Sequence, residues 1–222
     1  NIIKFIEFLE YEYHYYIFQE ISDGASLLQF LSASEKPLSE SLTRIIFKQL
    51  INALIFLHQN GIYHRDIKLE NILINTDMTI KLIDFGFCNF GNRDSLLKTI
   101  CGSLRYLPPE CIKGEAYSGD LADVWSAGVV LFILITKLMP FNGSNQPQII
   151  KNIIECNYEI PDFVLPLCAD LIKRIFVTDP NNRITTEQIF AHPWMTENEV
   201  KTLIKPLDLN HKDIIMDQYK LN

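Results

Sequence analysis

Within eight consecutive residues, His64-Arg65-Asp66-Ile67-Lys68-Leu69-Glu70-Asn71, the chain gathers a carboxylate, an ammonium group and a carboxamide. Asp84-Phe85-Gly86 follows, with Asp84 thirteen residues after Asn71 and directly behind an apolar run. Together these side chains suit phosphoryl transfer, which needs a positioned hydroxyl, metal ions bridging the phosphates and stabilisation of spreading negative charge. Asp66 is of the type that accepts the hydroxyl proton, and Lys68, two residues on, can set a cation beside the transferred group. Asn71 and Asp84 offer the hard oxygen donors that Mg²⁺ prefers. Gly86 lets the backbone turn beside the metal, and Phe85 is an apolar plug. Taken singly, each residue is ordinary. A surface Asp or Lys is most often solvated charge, and three residues match by chance.

Such side chains need a frame, and the flanking sequence predicts one. Residues 2–19 are rich in Ile, Phe and Tyr with a charged break at 10–12, which predicts two short strands joined by a turn. The aromatic group Tyr11, Tyr13, Tyr15 and Tyr16 reads as strand packing. Asp23-Gly24 breaks the pattern. Ser39 is a helix-capping type, and Leu42, Ile46, Leu50, Ala53 and Leu57 follow at spacings of three and four, with Gly61 as the stop. Residues 72–74 and 80–83 are β-branched runs around Asn75-Thr76-Asp77 and predict a small hairpin. The reactive octet therefore sits on a loop between helix and hairpin. Residues 91–110 show no period and read as a long functional loop. Residues 125–138 are apolar on almost every face and predict a helix buried all round. Further helical patterns lie near 147–155, 167–177 and 185–191, and beyond Trp194 the chain turns polar and mixed, as at the start of a linker or second module.

Composition narrows the classes. The 222 residues carry 20 Lys+Arg against 27 Asp+Glu, a net charge of −7 and a pI near 5.2. That balance argues against a general nucleic-acid binder and against a polybasic membrane anchor. With 48% hydrophobic and 21% charged residues, the chain is a globular one able to bury a sizeable core. Five scattered cysteines without a CxxC read as free thiols in a reducing compartment. The first residues lack a signal-peptide layout, and the longest apolar run, 129–135, is too short to span a bilayer. The expectation is a soluble cytoplasmic protein, or a soluble part of one.

The octet and the triplet match H-R-D-L-x-x-x-N and D-F-G of eukaryotic protein kinases, with Ile67 in place of Leu. Pro108-Pro109-Glu110 stands where that family has A-P-E, Asp123-Val124-Trp125-Ser126-Ala127-Gly128 resembles D-x-W-S-x-G, and Arg183 closes Asp179-Pro180-Asn181-Asn182-Arg183. Five motifs in order at family spacing make a strong match. The chain resembles a serine/threonine protein kinase. Lys68-Leu69-Glu70-Asn71, Asp84-Phe85-Gly86-Phe87 and Thr99-Ile100-Cys101-Gly102-Ser103 point within it to the calcium/calmodulin-dependent-kinase-like group, nearest the AMP-activated and microtubule-affinity-regulating branch.

That resemblance implies an α+β, protein-kinase-like fold, mainly the helical large lobe with the last strands of the small lobe. Residues 1–195 would be a partial kinase domain, 1–19 a small-lobe remnant and 20–195 hinge and large lobe, with 196–222 a C-terminal extension. It implies ATP and Mg²⁺ as cofactors, a protein substrate modified on Ser or Thr and an upstream activating kinase, with no nucleic acid and no membrane. Residue by residue, it makes Gln19 the gatekeeper and sets the backbone of Glu20 and Ser22 against the adenine edge. Ser26 stands where many relatives carry a Glu that binds ribose and a basic substrate residue, whereas Glu70 could still contact a substrate Arg. Glu110 would pair with Arg183, Asp123 would hold the catalytic loop, and Phe5, His64 and Phe85 would stack. Thr99 matches the activating threonine, Arg65 would bind its phosphate, and Ser103 would bond Asp66 and Lys68.

The Gly-rich loop, strand lysine and helix glutamate of a complete kinase have no counterpart here, and none of the nine glycines forms G-x-G-x-x-G. Two readings follow: a piece of an active kinase, or a non-catalytic kinase-like binding or regulatory module. The retention of Asp66, Asn71 and Asp84 favours the first. The chain by itself is expected to bind ATP weakly and transfer phosphate poorly, because half the cleft is absent.

Overall fold

The computed structural model describes residues 1–91 and 96–196, so the expected C-terminal extension lies outside the described residues. Strands β1 (Phe5–Tyr11) and β2 (His14–Gln19) form an antiparallel ribbon in the register Phe8↔Ile17, Leu9↔Tyr16 and Glu10↔Tyr15. Every residue of both strands is exposed, so the tyrosines pack within the ribbon while remaining open to solvent. The ribbon's cohesion is cross-strand, as where the Phe8 and Tyr15 rings stack at 5.7 Å.

Strand β3 (Ala25–Ser26) runs straight into α1 (Leu27–Ala33), a helix the sequence reading did not anticipate. A capping box starts it: Ser26 Oγ accepts from the Gln29 amide at 3.2 Å, and Gln29 Oε1 accepts from the Ser26 amide at 3.0 Å. Helix α2 (Glu40–Gln59) opens as predicted on Ser39, whose hydroxyl accepts from the Leu42 amide at 3.3 Å. Its stripe is buried at Ile46, Leu50, Ala53 and Leu57, with Leu42 partly buried. Gly61, at φ 67°, takes the chain out of the helix in a conformation that favours glycine.

The chain then threads β4 (Ile62–Tyr63), β5 (Ile72–Ile74), β6 (Ile80–Leu82) and β7 (Asn89–Phe90). The predicted hairpin is β5 with β6; β3 adds to β5 as a third antiparallel strand, and β4 pairs with β7. Residues 64–71 are thereby clamped at both ends by small sheets. The aperiodic stretch is less open than its sequence indicates. Leu97 bridges to Tyr117, residues 104–106 make a 3₁₀ turn, and α3 (Pro109–Ile112) begins inside it.

Helix α4 (Gly119–Thr136) is the axle of the molecule. It is apolar and long enough to cross a membrane by length and composition, yet 89% of it is buried inside the protein. It starts six residues before the predicted 125, because Asp120 and Asp123 conceal the beginning of the apolar pattern. Helices α2 and α6 (Pro166–Ile175) pack on it, α5 (Gln146–Ile154) lies against α3, α7 (Thr186–Phe190) against α2, and α8 (Pro193–Thr196) against α6 and α2. Trp125 and Phe141 stack at 5.4 Å with Phe176 against both. Each such ring, fully buried, contributes about 1.5–3 kcal/mol of transfer free energy. At Gly128 a Cβ would lie 2.3 Å from Ile175 Cγ2, so only glycine lets α4 and α6 approach this closely.

Candidate active site

The site is anchored from beneath by Asp123, fully buried on α4. Its Oδ2 accepts from the His64 amide at 2.9 Å and pairs with His58 Nε2 at 2.9 Å, while Oδ1 accepts from the Arg65 amide at 2.8 Å. A buried carboxylate is costly unless its lone pairs are filled, and three partners fill them here. The same bonds hold Arg65 at φ 65°, a left-handed conformation uncommon for a side-chain-bearing residue. The backbone that presents Asp66 is thus held from the centre of the core.

Asp66 is 4% exposed. Its Oδ2 accepts from Lys68 Nζ at 2.6 Å and from Asn71 Nδ2 at 2.9 Å; among the described residues its Oδ1 accepts a 3.3 Å contact from Ser103 Oγ. Lys68 Nζ also donates to Ser103 Oγ at 3.3 Å, and Asn71 Nδ2 to the Asp66 carbonyl oxygen at 2.9 Å. The structure therefore brings Asp66, Lys68, Asn71 and Ser103 into one hydrogen-bonded group. With the Asn71 amide nitrogen committed to Asp66, its oxygen is the atom left for a cation. Asp84, at φ 64° and exposed, accepts from the Gly86 amide at 3.2 Å. No group of three His, Cys, Asp or Glu that could hold a metal exists among the described residues. One carboxylate and one amide oxygen fit Mg²⁺, which takes few protein ligands and fills its octahedron with phosphate oxygens and water. His64 and Phe85 rings meet at 4.9 Å, but Phe5 is 57% exposed and shares no ring contact with them. The expected stack of three is a pair, because Phe5 belongs to the exposed ribbon.

The residues expected along the nucleotide edge lie on the connection out of the ribbon. Gln19 pairs with Phe5 at the end of β2. The Glu20 carboxylate accepts from Lys81 Nζ at 2.6 Å and from the Lys4 amide at 2.8 Å, and those bonds, the Lys81 one foremost, hold its pKa below the usual carboxylate range. Ser22 Oγ donates to Asn75 Oδ1 at 2.6 Å. The Glu20 and Ser22 side chains thus serve the scaffold rather than the Asp66 group.

On the opposite flank, Arg65 Nε donates to the Phe87 carbonyl oxygen at 2.6 Å and Nη1 to Tyr117 Oη at 3.5 Å; Tyr117 Oη donates to the Thr99 carbonyl oxygen at 2.9 Å. Arg65 and Thr99 are brought together through a tyrosine the sequence reading missed. No local pattern could have found it, whereas His58, also missed, sits on the buried face of α2. Beside Ser103 opens a cleft of about 580 Å³ lined by Glu70, Arg105, Tyr106, Met139 and Ile149. Glu110 and Arg183 form a buried ion pair.

Comparison with known proteins bears on this arrangement directly. The family model described as "Protein kinase domain" matches residues 1–195. The chain belongs to the protein kinase family. Its fold is a kinase fold, mainly helical with small antiparallel sheets. The kinase chain is 39% identical over 199 residues to the protein named "Probable serine/threonine-protein kinase MARK-A" of Dictyostelium discoideum, covering 90% of this chain and 19% of that protein. It is 40% identical over 185 residues to protein kinase kin1 of Schizosaccharomyces pombe, covering 83% and 21%. It is 41% identical over 195 residues to serine/threonine-protein kinase SIK1 of Mus musculus, covering 88% and 25%. The chain thus spans about a fifth to a quarter of the length of the curated relatives it matches.

Proposed function

We propose that this kinase chain carries the machinery for moving the γ-phosphoryl group of ATP onto Ser or Thr hydroxyls of protein substrates. The observation that carries the reading is the asymmetry of Asp66 among the described residues: Oδ2 accepts at 2.6 and 2.9 Å, while Oδ1 holds a 3.3 Å hydroxyl contact. Oδ1 is the oxygen that accepts the substrate hydroxyl proton. The substrate oxygen bonds to the γ-phosphorus, the bond to the β,γ-bridging oxygen breaks, and ADP leaves. Lys68 Nζ, already bound to Asp66, stands ready to offset charge on the transferred group. Asn71 and Asp84 are the residues that would hold Mg²⁺, which when bound neutralises phosphate charge.

The substrate segment lies in the cleft beside Glu70 and Arg105. Thr99, exposed at the loop surface, is the phosphate acceptor for an upstream kinase, and Arg65 the fork that receives the phosphate. The free cysteines suit a reducing cytoplasm as the place of action. None of the nine glycines forms the G-x-G-x-x-G that would cover the phosphates, so transfer by these residues alone would be slow.

The test is radiolabelled phosphate incorporation from Mg·ATP into a mixed Ser/Thr peptide pool, with the chain and its Asp66→Asn variant. Residual incorporation that disappears in the variant supports the reading. Incorporation that survives Asp66→Asn, or no Mg²⁺-dependent nucleotide binding by calorimetry, supports the non-catalytic module.

A further inference from the structure

Tyr117 lies between α3 and α4, apart from every residue assigned above to substrate, nucleotide or metal. It is 3% exposed and packs with Tyr63, Leu97, Leu107, Cys111 and Ala122 in a second, smaller core. Its main chain exchanges two bonds with Leu97, at 2.8 and 2.9 Å. Its hydroxyl then reaches past that pair, donating to the Thr99 carbonyl oxygen at 2.9 Å and accepting from Arg65 Nη1 at 3.5 Å. Burial pushes the phenol up to about 12, so it keeps its proton throughout the neutral range and remains a donor. The Thr99 side chain stays exposed while its main chain is tied down.

We propose that Tyr117 is a positioning residue of the regulatory switch, its hydroxyl tethering the Thr99 segment to Arg65 before any phosphate is present. The inference rests on the reading of Thr99 as the phosphate acceptor. The tether keeps the threonine and its arginine neighbours, so that phosphorylation completes a docking already half made. In that step Thr99 Oγ bonds to the γ-phosphorus of ATP, ADP departs and the hydroxyl proton passes to the upstream enzyme. Once the phosphate is there, Arg65 binds it with charge-assisted bonds, and a 3.5 Å contact to a neutral phenol becomes redundant.

Tyr117→Phe keeps the ring and the Leu97 pairing and removes only the hydroxyl. Hydrogen exchange by mass spectrometry is measured on the chain, unphosphorylated and with phosphothreonine installed at 99, alongside melting temperatures. In the unphosphorylated chain the variant exchanges residues 97–103 about three- to tenfold faster, the equivalent of one lost hydrogen bond, with α4 unchanged. In the phosphorylated chain wild type and variant exchange alike. Equal exchange in the unphosphorylated pair overturns the proposal, and so does an equal rise in both forms, which a merely structural tyrosine would produce. If phosphate fails to slow exchange in the wild type, the switch reading itself falls, and the unphosphorylated pair still decides the tether.

Discussion

Arg183 and Glu110, 73 positions apart, meet in a two-pronged ion pair, Nη1 to Oε1 at 2.7 Å and Nη2 to Oε2 at 3.0 Å, each residue 3% exposed. The guanidinium also donates from Nε to the Val177 carbonyl oxygen at 3.0 Å and from Nη1 to that of Leu121 at 2.9 Å. Its plane lies over the Trp125 ring at 4.9 Å. The pair therefore ties the end of the Ser103 loop, through α3, to the base of α4.

Because the pair is buried, removing one partner strands the other. Arg183→Ala is expected to cost about 3–5 kcal/mol, the usual penalty for an uncompensated buried charge. Arg183→Lys, which keeps the charge and loses the fork, falls between that variant and wild type. Urea unfolding with an unchanged m-value measures both. A loss below about 1 kcal/mol for Arg183→Ala would mean the pair behaves as a solvated one.

Asp66 offers a cleaner separation of chemistry from binding. Asp66→Asn preserves shape and the bonds that an acceptor oxygen can still make, but removes the base. Turnover is expected to fall by orders of magnitude while KM for ATP stays nearly constant, because the base acts on the hydroxyl and not on the nucleotide. Steady-state kinetics on whatever activity the wild-type chain shows decides the matter. A parallel collapse in nucleotide affinity would assign Asp66 a structural role.

Asp84 and Asn71 should differ in what they lose. Asp84→Ala deletes an anionic ligand and is expected to abolish Mg²⁺-dependent nucleotide binding. Asn71→Ala removes a neutral oxygen and weakens binding less, though it also frees Asp66 Oδ2 from a 2.9 Å donor. Calorimetric titration of ATP with and without Mg²⁺ separates the two. Equal affinity in all three proteins would remove both from the metal site.

What could be read in advance follows the range of the interactions. Ser39 and the α2 stripe are local, so capping chemistry and a 3.6 period found them. Helix α1 spans seven residues, under two turns, too few for a period to emerge. The start of α4 hid behind Asp120 and Asp123, since a pattern of apolar residues cannot register an aspartate buried to hold a loop. The grouping of Asp66 with Lys68 and Asn71 was legible through motif spacing. Tyr117 was not: its contact to Thr99 spans 18 positions across an aperiodic segment, and no rule of local spacing joins them. The ribbon tyrosines do pack across the strands, as Tyr15 does on Phe8, but strand propensity does not report that the ribbon stays exposed. Phe5 went with them, out of the stack with His64 and Phe85.

The buried thiols give the protein an alkaline limit. Cys168 is fully buried on α6, and burial, reinforced by Glu40 and opposed by Arg44, pushes its thiol up to about 12. An unfolded cysteine titrates near 8.5, at about that value in model peptides. The folded pKa is the higher one, so the native state holds a proton that the unfolded state gives up as pH rises between them. The sign follows: stability is complete below the unfolded pKa and is lost as pH climbs through the window up to the folded one. Above pH ~9 each such thiol steepens the decline by about 1.4 kcal/mol per pH unit. Cys168→Ala carries a cavity cost that is the same at every pH, so the difference between wild type and variant isolates the thiol. Urea midpoints from about pH 7 to 10.5 should show wild type more stable at neutrality and that advantage shrinking steadily above pH ~9. Parallel curves over the whole range would mean that Cys168 ionises in the folded protein as readily as in the unfolded one, and that its pocket admits water.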